Sequence, residues 1–149
     1  MVRRLSIVVL IVTSWFVAIG EVHGLCVKTP EANLRVGPGS NYAVGWTVSK
    51  YFPLKKLGTS LSGEWYAVED IDGDVFWVHR RLVENRRGCA AVKSARVNVR
   101  QGPGTHYGKR FHAEKYHSFR VLKRNGTWIK VQDRDHHTGW VHRDYCHIN

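Results

Sequence analysis

The stretch Asn33-Leu34-Arg35-Val36-Gly37-Pro38-Gly39-Ser40-Asn41-Tyr42 returns as Asn98-Val99-Arg100-Gln101-Gly102-Pro103-Gly104-Thr105-His106-Tyr107. Lys50-Tyr51 returns as Lys115-Tyr116, Gly63-Glu64-Trp65 as Gly126-Thr127-Trp128, and Trp77-Val78-His79-Arg80 as Trp140-Val141-His142-Arg143. The offset is 65 residues in the early blocks and 63 in the late ones, which places a two-residue insertion in the first copy near Thr59 to Ser62. Self-similarity at a fixed period means one structural unit used twice. Any fold proposed for one copy must also suit the other. The copies are expected at residues 25–85 and 89–147, with a hinge near Asn85 to Gly88.

Each copy reads as all-β. Short runs of Val, Ile, Leu and aromatics alternate with polar residues and stop at Gly, Pro, Asn or Asp. No window keeps apolar residues at helical spacing over three turns. In Gly-Pro-Gly, proline sets φ at the first central position, and Gly39 or Gly104 is expected to take the positive φ that follows. Asp72-Gly73 predicts a hairpin turn, and Asp133 to Thr138 predicts a longer, diverged one. About five short strands close into two tandem small β-barrels, since closure removes exposed sheet edges.

Residues 1–24 differ from the rest. Arg3 and Arg4 precede an apolar run from Leu5 to Ile19, and Val22-His23-Gly24 follows. This is the order of a secretory signal peptide. The run is short of the roughly 20 apolar residues of a membrane span, so no stable span is expected after cleavage. The mature chain would be periplasmic or secreted, and its formal charge would fall from +11 to +10 as Arg3, Arg4 and Glu21 leave. That balance favours anionic partners or serves solubility alone. Export also suits disulfides among Cys26, Cys89 and Cys146. Cys89 opens the second copy and Cys146 closes it, so these two are expected to pair, leaving Cys26 without a partner.

Asn-x-Arg-x-Gly-Pro-Gly-x-x-Tyr, then Gly-x-Trp-x-x-Val-x-Asp, then Trp-Val-His, resembles the bacterial SH3-like domain family, once per copy over nearly all of residues 26–146. The first copy departs at Phe76, where the family has the glycine that the second copy keeps as Gly139. The resemblance implies two tandem SH3-like barrels of five or six strands that bind rather than catalyse. It further implies a target in the cell envelope, peptidoglycan above all, or an envelope protein gripped by the same grooves. No hydrolase domain is expected beside the two copies.

Strand alternation separates core from surface. In Trp128-Ile129-Lys130-Val131, Ile129 and Val131 share one face, while Trp128 shares the other with Lys130, a residue rarely buried. In SH3-like folds the Trp at this strand's start lines a shallow groove, with an aromatic just after the last strand. Tyr145 holds that second place in copy two, where copy one has Leu82. The expected ligand-binding residues are therefore Trp65, Trp128, His142, Tyr145 and Arg100, with copy two the fuller groove. Arg35 and Arg100 suit a ligand carboxylate, but their repeated position favours bracing of the Gly-Pro-Gly loop. Histidines crowd copy two at His106, His112, His117, His136, His137, His142 and His147. None shows helical or paired-knuckle ligand spacing, so they read as solvated, with no metal and no cofactor expected. The cysteines bracket a β unit rather than sit beside a base at a helix start, so catalysis is not expected. Nucleic-acid binding fits the charge but not export.

Overall fold

A computed structural model describes residues 24–85 and 88–149; the signal peptide expected over residues 1–24 lies outside them but for Gly24. The first module contains β1 (Gly24–Val27), β2 (Glu31–Arg35), β3 (Val44–Ser49), β4 (Pro53–Thr59), β5 (Trp65–Glu69), β6 (Val75–His79) and β7 (Val83–Glu84). The second repeats them as β8 (Cys89–Val92), β9 (Arg96–Arg100), β10 (Lys109–Glu114), β11 (Ser118–Asn125), β12 (Trp128–Gln132), β13 (Thr138–His142) and β14 (Cys146–Ile148). Strand order is β3-β2-β6-β5-β4-β1-β7 in one sheet and β10-β9-β13-β12-β11-β8-β14 in the other. The two sheets have the same topology. Short 3₁₀ turns, Arg80–Leu82 and Arg143–Tyr145, precede each last strand.

The period-two pattern is clear in β2, β9, β12 and β13. Ile129 and Val131 are buried between half-exposed Trp128 and Lys130, and Val141 lies between Trp140 and His142. One core gathers Leu34, Phe52, Leu54, Val68 and Val78; the other gathers Val99, Phe119, Ile129, Val131 and Val141. The two-residue insertion falls in the β4–β5 connection, where Ser60 Oγ accepts the Trp65 N–H.

Two turn expectations change. Positive φ occurs at Gly63, Gly73, Gly88 and Gly126, not at Gly39 or Gly104. The Gly39 N–H instead reaches back to Gly37 O at 3.0 Å, a three-residue turn centred on Pro38, and Gly104 does the same to Gly102. Space is what requires glycine in this loop: a Cβ on Gly39 or Gly104 would lie 2.5 or 2.7 Å from Asn41 Oδ1 or His106 Cε1, and one on Gly37 or Gly102 would lie 2.3 or 2.5 Å from the ring of Tyr42 or Tyr107. The second hairpin tip is also no longer than the first. In each, an aspartate Oδ1 accepts two backbone N–H groups at 2.9 Å: Asp70 from Asp72 and Asp74, Asp133 from Asp135 and His137. His136, at φ 68°, takes the left-handed position that Gly73 holds.

The disulfide joins Cys26 to Cys89, with Cα atoms 6.0 Å apart, and not Cys89 to Cys146. Cys146 pairs with Val92 across β8 and β14, while Asn149 N–H reaches Cys89 O. Cys89 is thus three residues along the strand from the level of Cys146, about 10 Å at 3.3 Å per residue. A disulfide needs Cα atoms within about 7 Å. The expected pair is too far apart. Cys89 faces the other way because β8 is buried on both sides. Ala90 and Val92 fill the second core, while Ala91 packs into the first.

Cys26 and Cys89 therefore meet where the modules abut. Around them Ser118 Oγ donates to Lys50 O at 2.8 Å, and Asn149 Nδ2 donates to Leu25 O at 2.6 Å. Lys115 Nζ and Tyr116 OH both donate to the Asp72 carboxylate, at 2.9 and 2.7 Å. These bonds hold the Asp72 carboxyl below its ordinary range. Tyr116 also meets Trp46 edge-on at 4.9 Å.

Cys146 is a buried free thiol whose pKa burial pushes up to about 12. Its neutral form supports the fold below the ordinary thiol pKa of 9.0, and that contribution is lost as pH rises through about 12. Iodoacetamide at about pH 8 should leave native protein unlabelled, since the thiolate is the nucleophile. After denaturation without reduction, mass spectrometry should find one label, on Cys146; a label on Cys26 would contradict the pairing.

Candidate ligand-binding groove

Trp128 starts β12 directly across from His142, which ends β13. Their rings meet edge to face at 5.3 Å, and His142 lies 5.7 Å from Tyr145 on the following 3₁₀ turn. His142 Nδ1 accepts the Asp144 N–H at 3.4 Å and so caps that turn. The same Nδ1 lies 3.7 Å from the Asp144 carboxylate. The opposite wall is β9, whose outward face carries Arg96, Asn98 and Arg100 by strand alternation.

Together Arg96, Val97, Asn98, Arg100, Thr105, Trp128, His142 and Tyr145 line a groove of about 440 Å³. Four of the five expected residues thus come together: Trp128, His142, Tyr145 and Arg100. Trp65 does not join them, being in the other module. Sequence reasoning missed Arg96 and Asn98; the alternation Arg96-Val97-Asn98-Val99-Arg100 was the signal that could have found them. Arg100 has a second duty. Its Nη1 donates to Thr105 O at 3.0 Å and Tyr107 O at 2.9 Å, and Arg35 makes the matching bond to Tyr42 O. The guanidinium braces the loop and presents its remaining donors at the groove's end.

The first module builds the same pair and then covers it differently. Trp65 and His79 meet at 5.1 Å, and His79 Nδ1 caps the turn through Arg81 N–H. Glu64 lies 3.5 Å from His79 Nε2 and 3.0 Å from Arg80, where the second module has Thr127. Leu82, in the place of Tyr145, packs against the core.

Residues 28–85 match one bacterial SH3 domain description, and residues 95–147 match a second. Each span lies within one module and begins after its first strand, β1 or β8. The chain belongs to the bacterial SH3 domain family. It carries two such SH3 domains in tandem. It is 34% identical over 131 residues to a Bacillus subtilis (strain 168) protein named "Putative N-acetylmuramoyl-L-alanine amidase YrvJ", covering 80% of this chain and 24% of that one. This tandem SH3 chain therefore spans about a quarter of that relative's length. Among solved structures, NlpC2 from Trichomonas vaginalis aligns over 86% of this chain and 48% of its own, at 13% identity and a TM-score of 0.38. NlpC1 from the same organism aligns over 89% and 48%, at 12% identity and 0.37. The chain spans just under half of each. Among the described residues, no helix is long and apolar enough to cross a membrane.

Proposed function

We propose that the chain is a non-catalytic binding protein of the cell envelope, and that the second module's groove takes peptidoglycan, through its glycan or its stem peptide. The observation that carries this is the convergence of Trp128, His142 and Tyr145 opposite Arg96 and Asn98 in one open groove. Aromatic faces offer area at low entropic cost to sugar rings or extended peptides, and the flanking guanidinium suits a carboxylate. The amidase name of the Bacillus relative supports the same substrate class, since such an enzyme acts on peptidoglycan. A disulfide between the modules supports a location outside the cytoplasm, periplasmic or secreted. An envelope protein bound in the same groove is the second reading, favoured by the mixed polar and apolar lining.

The test is saturable co-sedimentation of the full mature chain with insoluble peptidoglycan. Trp128→Ala should weaken binding about tenfold, as loss of a central aromatic anchor does, with the melting temperature within a few degrees. Trp65→Ala should change it far less. Binding should survive about 0.5 M salt, where plain cationic adhesion is screened. Undiminished binding by the Trp128 variant would overturn the groove assignment.

A further inference from the structure

The hairpin tip of the second module holds a second cluster, away from the groove. Asp133 is buried to 5% side-chain exposure, and its Oδ1 is committed to the turn. Its Oδ2 faces two imidazoles: His137 Nδ1 at 3.0 Å and His117 Nε2 at 3.8 Å. One ligand atom each from Asp133, Asp135 and His137 lies within 4.8 Å of the others. Ligands about 2.1 Å from a common ion stand at most about 4.2 Å apart, so small side-chain rotations suffice to close the set.

The first module shows which of these residues the turn itself requires. There Asp70 makes the same two backbone bonds, so one aspartate is enough to build the tip. By the repeat, Asp74 stands where the second module has His137, and Phe52 stands where it has His117. Phe52 is a fully buried core residue, whereas His117 turns its Nε2 toward Asp133. Two imidazoles have thus been placed, from separate segments, around the one carboxylate oxygen that the turn does not use. Asp72, the counterpart of Asp135, is drawn to Lys115 and Tyr116 instead.

We propose that Asp133, Asp135 and His137 bind a divalent transition ion of the Zn²⁺ or Cu²⁺ class, with His117 as the fourth ligand. Mixed imidazole and carboxylate donors select such ions over Ca²⁺ or Mg²⁺, which take oxygen ligands. Coordination draws Asp135 from Arg134, whose Nε lies 3.8 Å away. The spacing rule that sets solvated histidines apart from ligands fails here because His117 reaches the tip through the fold and not through sequence proximity.

The test is calorimetric titration of tag-free, chelator-treated full-length mature protein with ZnCl₂ and CuCl₂, with MgCl₂ as control. One ion per chain is expected, with a dissociation constant on the order of micromolar. His137→Asp and His117→Phe, which install the first module's residues, should each weaken binding at least about tenfold, as loss of a ligand does. Asp135→Asn, at an exposed position, should do likewise and guards against misfolding of the His117 variant. Trp128→Ala should leave the ion affinity unchanged, which separates this site from the groove. Absence of binding by both ions, or binding that all three cluster variants leave intact, would overturn the proposal.

Discussion

Replacing Cys26 by Ser should lower the free energy of unfolding by about 4 kcal/mol, the chain-entropy value for closing a loop of this length. The cross-link spans 63 residues and joins the first strand of each barrel, so its loss frees one whole module from the other in the unfolded chain. Small barrels of this size bury only about 60% of their unfolded surface and are marginal alone. The polar contacts that remain between them, through Ser118, Asn149 and the Lys115–Asp72–Tyr116 clamp, include surface groups worth little individually. Urea titration should show Cys26→Ser and Cys89→Ser shifted equally, the double variant no further, and reduced wild type superimposed on them. A midpoint that stays with the oxidised wild type would show that the packed faces alone hold the modules together.

The repeat made the architecture legible because both copies had to obey one pattern. Ile129, Val131 and Val141 could be assigned inward, and Trp128 and His142 outward, from period two alone. The same reasoning gave way where a strand has no wet face. Cys89-Ala90-Ala91-Val92 is buried on both sides and forms the seam between the modules, so alternation could not say which way Cys89 faces. Pairing Cys89 with Cys146 treated the second module as isolated. Turn chemistry failed for a different reason. Glycine after proline usually signals positive φ, but here Asn41 and His106 crowd Gly39 and Gly104, as Tyr42 and Tyr107 crowd Gly37 and Gly102, so contact sets these glycines. The histidines near Asp133 were invisible as a group because His117 and His137 come together only when β11 and the hairpin tip fold against each other. The groove was legible in its aromatics and less so in Arg96 and Asn98, which lie on a strand remote in sequence from Trp128.

Gly139→Phe, which installs the first module's residue in the second, should destabilise the protein by about 3 kcal/mol, the upper range for overpacking a filled site. Even a Cβ there would stand 2.4 Å from Val99 Cγ1 and 3.0 Å from Arg100 O. The first module tolerates Phe76 because its neighbours differ. Phe76 lies over Gly45, where any Cβ would meet its ring edge at 2.7 Å. At the position matching Gly45, the second module has Arg110, whose Nη1 donates to Thr138 O at 3.0 Å. Large and small residues are thus exchanged between the two strands while the hairpin register stays the same, and Leu34 stands where Val99 does without its β-branch. Arg110→Gly combined with Gly139→Phe should therefore recover at least about 1 kcal/mol relative to the sum of the single changes, a coupling typical of touching residues. Strict additivity would mean that the clash with Val99 dominates, and adding Val99→Leu should then supply the missing recovery. No recovery in the triple variant would show that Phe76 fits the first module for reasons outside this crossing.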